Sequence, residues 1–297
     1  MLKRTIHISS KSYLSTKDDQ LRIRVADDNE HSIPIEDIGL LEVDSPQVTM
    51  SSSLMAKLLQ NGATTVVCDN THHPVGILLP ITGHSLHALR LRQQIECSIP
   101  TRKRAWKEII KCKLVNQADA LTELGIDDRP IRRRIPKVLS NDSTNQEGVA
   151  AAHYWKCLLR PFDQRRDPDG GPPNNLLNYG YAVLRACVAR ALVSSGLHPA
   201  LGIKHSNRGN AFALADDVME PYRPFVDRVV LPKALESDSI DLLTPQMKKE
   251  ILKILVCDTY WTEGRRPLFN AVQLSAASMA QTFAGDRGVP VFPRLCE

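Results

Sequence analysis

The feature that most constrains the fold of this chain is a change in hydrophobic periodicity near residue 84. Before it, short β-branched runs bounded by Asp, Asn, Ser or Pro predict strands in TIHIS, LRIRV, IGLLEVD and TTVVCD, with one Ser-capped helix in SSLMAKLLQNG. After it, apolar residues recur every three or four positions, which indicates helices. The sequence therefore predicts an α+β fold, with a β-rich domain over residues 1–84 and a larger all-α domain over residues 85–297.

Composition and length narrow the class of protein. The 297 residues are 42% hydrophobic and 24% charged, which is typical of a folded globular chain with about two domains. Seven cysteines, an odd number without a CxxC pair, predict free thiols in a reducing cytoplasm rather than a thiolate zinc site. The pattern predicts neither a signal peptide nor a membrane span. The net charge of +5 permits nucleic-acid binding without requiring it.

The stretch GIKHSNRGNAFALADDVMEPYRP, residues 202–224, places carboxylates among apolar residues. Asp216, Asp217 and Glu220 are costly to bury in such surroundings unless a cation meets them. On a helix, Glu220 would share a face with either aspartate, whereas the two aspartates would point in different directions. The cation is either an arginine or a metal ion, and the residues alone leave both open.

Glu147, in TNQEGVAAAHYW, and His205, in GIKHSN, extend this set. One histidine with two or three carboxylates suits Mg²⁺ or Mn²⁺ better than Zn²⁺. Such an ion can stabilise charge during in-line attack at phosphorus. The structural alternatives are a capping box formed by Thr144 and Glu147, a hydrogen-bonded core histidine and arginine-paired acids. A second histidine group is a weaker metal candidate that is expected to lack nearby acids and to be surface or core: His72, His73, His84 and His87.

Basic residues are concentrated in the same half of the chain as the acids. The clusters are TRKRAWK, RPIRRR and DQRR, and Lys204 and Arg208 flank His205. A charge run alone is usually a solvated face, but cations around a metal site fit a phosphodiester substrate. The RPIRRR cluster lacks the interleaved aromatic residues of a single-strand stacking platform, which favours backbone contacts with duplex.

Three phrases, in order along the chain, resemble the CRISPR-associated spacer integrase, the metal-dependent nuclease of the CRISPR adaptation complex. They are NQEGVAAAHYW, LLNYGYAVLRACVARALVSSGLHPALGIKHSN and FALADDVMEPYRPFVD. The RTIHIS strand and the LLQNGATTVVCDN segment extend the likeness over nearly the whole chain, and the phrases are similar to the version found in type II systems.

The resemblance implies a metal-dependent DNA endonuclease and integrase that inserts short prespacer duplexes into the CRISPR array. The 3′-hydroxyl ends attack phosphodiesters at the repeat boundaries. The implied cofactor is Mg²⁺ or Mn²⁺, held by Glu147, His205 and Glu220. Asp217 matches a further acid that either joins these ligands or orients His205.

The resemblance also implies partners. The chain would form homodimers, two of which flank a dimer of a small ferredoxin-like adaptation subunit, and the complex would hold the prespacer duplex and the CRISPR repeat. The RNA-guided effector nuclease is a further candidate partner, and no membrane is involved. Basic residues near the acids or in the basic clusters are predicted to contact DNA: Lys204, Arg208, Arg223, Arg165 and Arg166.

Three rival functions stay open at this point. The first is a metal-dependent nuclease of branched DNA in repair, in which water replaces the 3′-hydroxyl as the nucleophile. The second is a non-catalytic DNA-binding scaffold of a defence complex. The third is a cytosolic α+β protein whose acids are all in salt bridges.

Overall fold

The computed structural model describes residues 3–25, 30–205, 207–236 and 243–296. The chain divides into two compact units, residues 1–83 and 84–297. The first is built on β-sheets and the second is mostly helical, so the predicted α+β class is confirmed. That each unit is a domain in its own right stays a prediction.

The first unit contains two four-stranded sheets. Its strands are β1 (Arg4–Ile8), β2 (Ser12–Lys17), β3 (Gln20–Val25), β4 (Glu30–Pro34), β5 (Ile38–Val43), β6 (Val48–Met50), β7 (Thr64–Cys68) and β8 (Pro74–Leu78). One sheet has the order β1-β5-β7-β8, with the first three strands parallel and β8 antiparallel to β7. The other has the order β4-β3-β2-β6, antiparallel except for the β2–β6 pair.

The two sheets and helix α1 (Ser52–Gln60) share one apolar core. Leu14 of β2 and Leu54 of α1 are both fully buried in it. β5 is buried along its whole length, which is why IGLLEV shows no alternation of polar and apolar residues. α1 begins at the predicted serine cap, since Ser51 Oγ accepts a hydrogen bond from Leu54 N at 3.4 Å. It is followed by Gly62, which has φ +66°.

The four predicted strands correspond to β1, β3, β5 and β7, and the structure adds β2, β4, β6 and β8. Three of the added strands, β4, β6 and β8, lie at sheet edges. An edge strand has a neighbour on one side only and tolerates polar or short sequences, so it carries a weak apolar signal.

The second unit is built around helices. Within its described residues they are α2 (His87–Glu96), α3 (Ile99–Glu123), α4 (Arg129–Arg132), α5 (Gln146–Leu158), α6 (Asn174–Ser194), α7 (Ala213–Met219), α8 (Arg223–Glu236), α9 (Pro245–Leu252) and α10 (Leu268–Ala284). α6 packs against α7, α8 and α10. A Cβ on Gly180 would lie 2.5 Å from Val226 Cγ1, so this glycine allows α6 and α8 to approach closely.

α6 is long and apolar enough to cross a membrane by length and composition. However, 78% of its 18-residue apolar window is buried inside the protein, as expected of a core helix.

The second unit also contains a small sheet, which the prediction of an all-α domain did not include. It has the order β10-β9-β11 and is formed by β9 (Asp258–Trp261), β10 (Gly264–Pro267) and β11 (Arg294–Leu295). These strands have two to four residues each, too few to display a period of two.

Candidate metal centre

Helix α3 carries a lysine on its buried face. Ser98 caps the helix by accepting a hydrogen bond from Thr101 N at 3.3 Å, and α3 packs against α5, α8 and the turn that follows α7. Lys113 lies three and four residues after the fully buried Ile110 and Ile109, on the same face. Its side chain is only 10% exposed, and an ammonium group in such a position needs anionic partners.

Two glutamates from distant parts of the chain meet at Lys113. Lys113 Nζ donates to Glu147 Oε1 at 2.6 Å and lies 2.6 Å from Glu220 Oε2. Glu147 is in the first turn of α5, and Glu220 begins the 3-10 turn after α7. The Glu220 side chain is only 7% exposed, so its contact with the ammonium is a buried ion pair.

The charges at this point stabilise one another. Burial raises the pKa of Glu220, but the charges of Arg223 and Lys113 outweigh it and bring the pKa down to about 2. Burial lowers the pKa of Lys113, but Glu220 and Glu147 outweigh it, so that the pKa is raised. Arg223 Nε donates to Glu220 Oε1 at 2.8 Å, and its guanidinium lies 4.7 Å from the centre of the Tyr181 ring. Glu220 is therefore an anion between two cations.

His205 is held by Asp217. Its Nδ1 lies 2.6 Å from Asp217 Oδ1, and this hydrogen bond is the main reason that the pKa of His205 is raised. The Asp217 carboxylate is fully buried and also accepts the backbone N–H groups of Ile203, Lys204 and His205. The His205 ring stands edge-on to Trp106 of α3 at 5.9 Å between ring centres. Asp217 therefore fixes both the imidazole and the loop that carries it.

Asp216 points to a different partner. Its carboxylate accepts from Arg185 Nε and from Asn210 Nδ2, each at 2.7 Å. α7 ends at Met219, and the chain continues into a 3-10 turn that carries Glu220. The three acids of this stretch thus contact three different partners.

The capping-box alternative for Glu147 is wrong. Asn145 caps α5, and its side chain accepts from Gly148 N at 3.2 Å. The Asp142 carboxylate accepts from Gln146 N and Glu147 N, each at 2.9 Å. These two side chains accept hydrogen bonds from backbone N–H groups of the first turn, which have no partner within the helix. The carboxylate of Glu147 is therefore left to contact Lys113.

The five predicted DNA-binding residues fall into two groups. Lys204, Arg208 and Arg165 are exposed. Arg166 is held by Asn174 and Asn178 and stacks near Tyr181, and Arg223 is held by Glu220 as described above. DNA contacts by all five stay a prediction, and the geometry favours those by the exposed three.

A cavity of about 770 Å³ lies on the exposed side of α5. Its lining includes Gly148, the residue that follows Glu147. Its small residues include Gly148, and Trp155 forms an aromatic side. The cations around it are Lys156, Arg160, Arg165 and Arg166. Lys156 and Arg160 were not predicted as DNA-binding residues, although their spacing of four residues in YWKCLLR indicates one basic face.

One residue of the second histidine group, His72, does have an acid beside it. Asp44, which is buried, lies 3.2 Å from His7 Nε2 and 2.9 Å from His72 Nδ1. The expectation that His72 has no acid nearby is therefore wrong, because strand pairing brings Asp44 beside the turn that carries it.

The predicted ligands match what Mg²⁺ or Mn²⁺ would need. Oxygens of Glu147 and Glu220 face the same point, the ammonium of Lys113. A histidine that binds a metal commonly gives its other ring N–H to a carboxylate, which is what His205 does with Asp217. Among the described residues, however, no three His, Cys, Asp or Glu side chains already converge as a metal-binding group. Lys113 stands between the two glutamates instead.

Lys113 itself was not predicted from the sequence as a residue of this centre. The signal was present in KEIIKCKLVNQ, where one lysine falls at the position of the apolar stripe. A lysine on the apolar face of a helix either extends its amine to solvent or meets a buried acid.

Comparison with known proteins shows which family this chain matches. Residues 6–241 match the family described as CRISPR associated protein Cas1. A CRISPR-associated endonuclease Cas1 from Neisseria meningitidis is 35% identical over 86% of this chain and 84% of its own length. A CRISPR-associated endonuclease Cas1 from Pyrobaculum aerophilum is 30% identical, with 78% and 82% covered.

Solved structures agree on the fold. A casposase bound to integration product superposes with a TM-score of 0.78 at 18% identity, covering 97% of this chain and 92% of its own. The Cas6-RT-Cas1–Cas2 complex matches with a TM-score of 0.73 at 16% identity, covering 96% of this chain and 35% of its own. The resemblance found in the sequence is confirmed, and the chain belongs to the Cas1 family of CRISPR-associated proteins.

Proposed function

We propose that this chain is the DNA integrase of CRISPR adaptation, joining the 3′-hydroxyl ends of a prespacer duplex to phosphodiesters at the repeat boundary. The observation that carries the proposal is the meeting of Glu147 and Glu220 on one buried cation, each at 2.6 Å from Lys113 Nζ. The two carboxylates come from elements that lie far apart in the sequence, and carboxylate oxygens that face one point are the ligands that Mg²⁺ and Mn²⁺ prefer.

The roles of the residues follow from their contacts. Glu147, Glu220 and Nε2 of His205 would hold Mg²⁺ or Mn²⁺. When bound, that ion supplies Lewis-acid stabilisation of the charge on the scissile phosphate and a lower pKa of the attacking hydroxyl. Asp217 is a positioning residue: it keeps the proton of His205 on Nδ1, so that Nε2 presents its lone pair.

The DNA would be held by cations outside this centre. Lys204 and Arg208 are exposed beside His205, and Lys156, Arg160 and Arg165 surround the cavity beside Glu147. Contacts of this kind bind phosphates irrespective of sequence. Arg223 instead balances the charge of Glu220, at 2.8 Å.

The partners and location belong to the same proposal. The likeness to the Cas1 part of a complex with Cas2 supports a small adaptation subunit as partner. We infer a homodimer, two of which flank one partner dimer on the prespacer, acting in the cytoplasm as two-domain chains divided near residue 84. The effector nuclease of a type II-like system is a further candidate partner.

A strand-transfer assay tests the function. The purified chain, its adaptation subunit, a duplex with 3′-hydroxyl ends and a repeat-bearing plasmid are mixed with Mn²⁺ or with EDTA. The expected result is joined product that requires the ion and is lost in Glu147→Gln and His205→Asn. DNA binding should persist in both variants, because lysines and arginines carry it.

Glu108→Gln is the matched control, because Glu108 lies on α3 and pairs with Lys111 at 3.7 Å rather than with the candidate centre. It should join DNA as the unmodified chain does. Cleavage without joining would favour a repair nuclease, and binding with neither cleavage nor joining would favour a scaffold. Full joining by both Glu147→Gln and His205→Asn would refute the assignment of the site.

A further inference from the structure

Lys113 is a part of the centre that the proposed reaction does not use. Its ammonium is buried, lies on a different helix from both glutamates and contacts one oxygen of each at 2.6 Å. These contacts link α3 to α5 and to the turn after α7. Lys113 therefore holds together the two carboxylates to which the proposed function assigns a divalent ion.

The two cations at Glu220 are not equivalent. Arg223 makes a hydrogen bond with Oε1 at 2.8 Å, and its guanidinium is also held against the Tyr181 ring. Lys113 contacts Oε2 at 2.6 Å. Arg223 is thus held by contacts of its own on one side of Glu220, whereas the Lys113 ammonium is the cation that faces both carboxylates.

The oxygens that face Lys113 Nζ are those that a divalent ion would need. An ammonium and a divalent ion on the same pair of oxygens repel each other, and the repulsion is strong where water is largely excluded. Glu147 and Glu220 are 26% and 7% exposed, so water screens this centre poorly. Tight binding of one cation therefore requires the other to leave.

We propose that Lys113 is a built-in competitor of the metal ion, which keeps Glu147 and Glu220 paired in the metal-free protein and must withdraw from them before a divalent ion binds. The lysine stabilises the two carboxylates and weakens their affinity for the ion. This inference rests on the proposed function, since it takes these two glutamates as ligands. It makes Lys113 a positioning residue of the centre.

The test is a calorimetric titration of the full chain with Mn²⁺. Lys113→Met removes the ammonium and keeps the apolar stem, and Lys113→Gln keeps a hydrogen-bond donor without the charge. Each should bind Mn²⁺ at least tenfold more tightly than the unmodified chain. Lys111→Met, on the exposed side of the same helix where Lys111 faces Glu108, should leave the affinity unchanged. Glu147→Gln in each background identifies the site that is being measured.

Thermal unfolding gives a second readout that does not depend on activity. In EDTA, Lys113→Met should melt below the unmodified chain because two glutamates lose their shared cation. Saturating Mn²⁺ should raise its melting temperature by more than it raises that of the unmodified chain, as tighter binding to the folded state requires. If Lys113→Met fails to fold, Lys113→Gln carries both measurements.

The failures are distinguishable. Equal or weaker Mn²⁺ binding in Lys113→Met and Lys113→Gln, at a site that Glu147→Gln still removes, would overturn the competitor role and leave the proposed function standing. Absence of any Glu147-dependent Mn²⁺ binding, in the unmodified chain and in the lysine variants alike, would overturn the metal centre itself and this inference with it.

Discussion

The Asp217 carboxylate holds His205 twice, through Nδ1 at 2.6 Å and through the backbone amide at 3.2 Å. In Asp217→Asn the amide no longer requires the proton on Nδ1, so the ring loses its fixed tautomer. We expect affinity for Mn²⁺ to fall by roughly 10–100-fold, the usual effect of removing such an outer partner. Titration with Mn²⁺ checks this. Asp216→Asn, whose parent side chain contacts Arg185 instead, should change the affinity far less.

Gly202 leaves room for the His205 loop. A Cβ at this position would lie 2.3 Å from the backbone oxygen of His205 and 3.0 Å from Asp217 Oδ2. Gly202→Ala should therefore displace the histidine and lower strand transfer by about 100-fold, since small misplacements of reacting groups have effects of that size. Gly209→Ala is the control, because its Cβ would meet only Asn207 Oδ1, at 3.7 Å. Equal rates for both variants would contradict the argument.

Asp227 makes stability depend on pH. It is buried and accepts hydrogen bonds from Tyr154 Oη, at 2.8 Å, and from Tyr181 Oη. Burial raises its pKa from 3.8 to about 6, although both hydrogen bonds lower it. Between those values the folded state binds more protons than the unfolded state. The free energy of unfolding therefore falls as the pH rises through this window, by up to about 3 kcal/mol.

Asp227→Asn removes that titration. Urea unfolding at several pH values should show that the difference in unfolding free energy between Asp227→Asn and the unmodified chain shifts in favour of the variant as the pH rises from 3.8 to about 6. Above this window the difference should be constant. A difference that does not change with pH would mean that the pKa of Asp227 is the same in the folded and the unfolded chain.

The start of α5 should be sensitive to its cap. Asn145→Ala removes the acceptor of Gly148 N and should lower the free energy of unfolding by about 1 kcal/mol. Thr144→Ala is expected to be nearly neutral, because Thr144 Oγ1 only donates to Lys137 O at a long 3.4 Å. Chemical denaturation of both variants checks the difference. A larger loss of unfolding free energy in Thr144→Ala than in Asn145→Ala would mean that Thr144 caps α5 after all.

The cations beside the α5 cavity should bind DNA phosphates. Lys156→Ala and Arg160→Ala should each weaken duplex binding and reduce the slope of log affinity against log salt by about 1. Binding isotherms over a range of salt concentrations measure this slope. Lys249→Ala, on the exposed side of α9, should leave the slope as it is. Identical slopes in all three variants would place the DNA elsewhere.

The α+β order, four of the strands and the main helices could be predicted from the sequence alone, because periodicity and caps are local properties of the chain. The sequence also indicated Asp216, Asp217 and Glu220, because carboxylates within an apolar run stand out, whereas Glu147 and His205 took their ligand roles from the resemblance to the spacer integrase. The strands β4, β6 and β8 carried no such signal, since edge strands need little alternation.

Only the tertiary structure decided which charges meet. Lys113 could be recognised as a lysine on an apolar face, but its contact with Glu147 and Glu220 depends on the packing of α3 against α5 and the turn after α7. Packing also determined that Asp216 contacts Arg185 and that Asp217 contacts His205. Neighbouring residues on a helix point apart, and the partner that each one finds lies on another element.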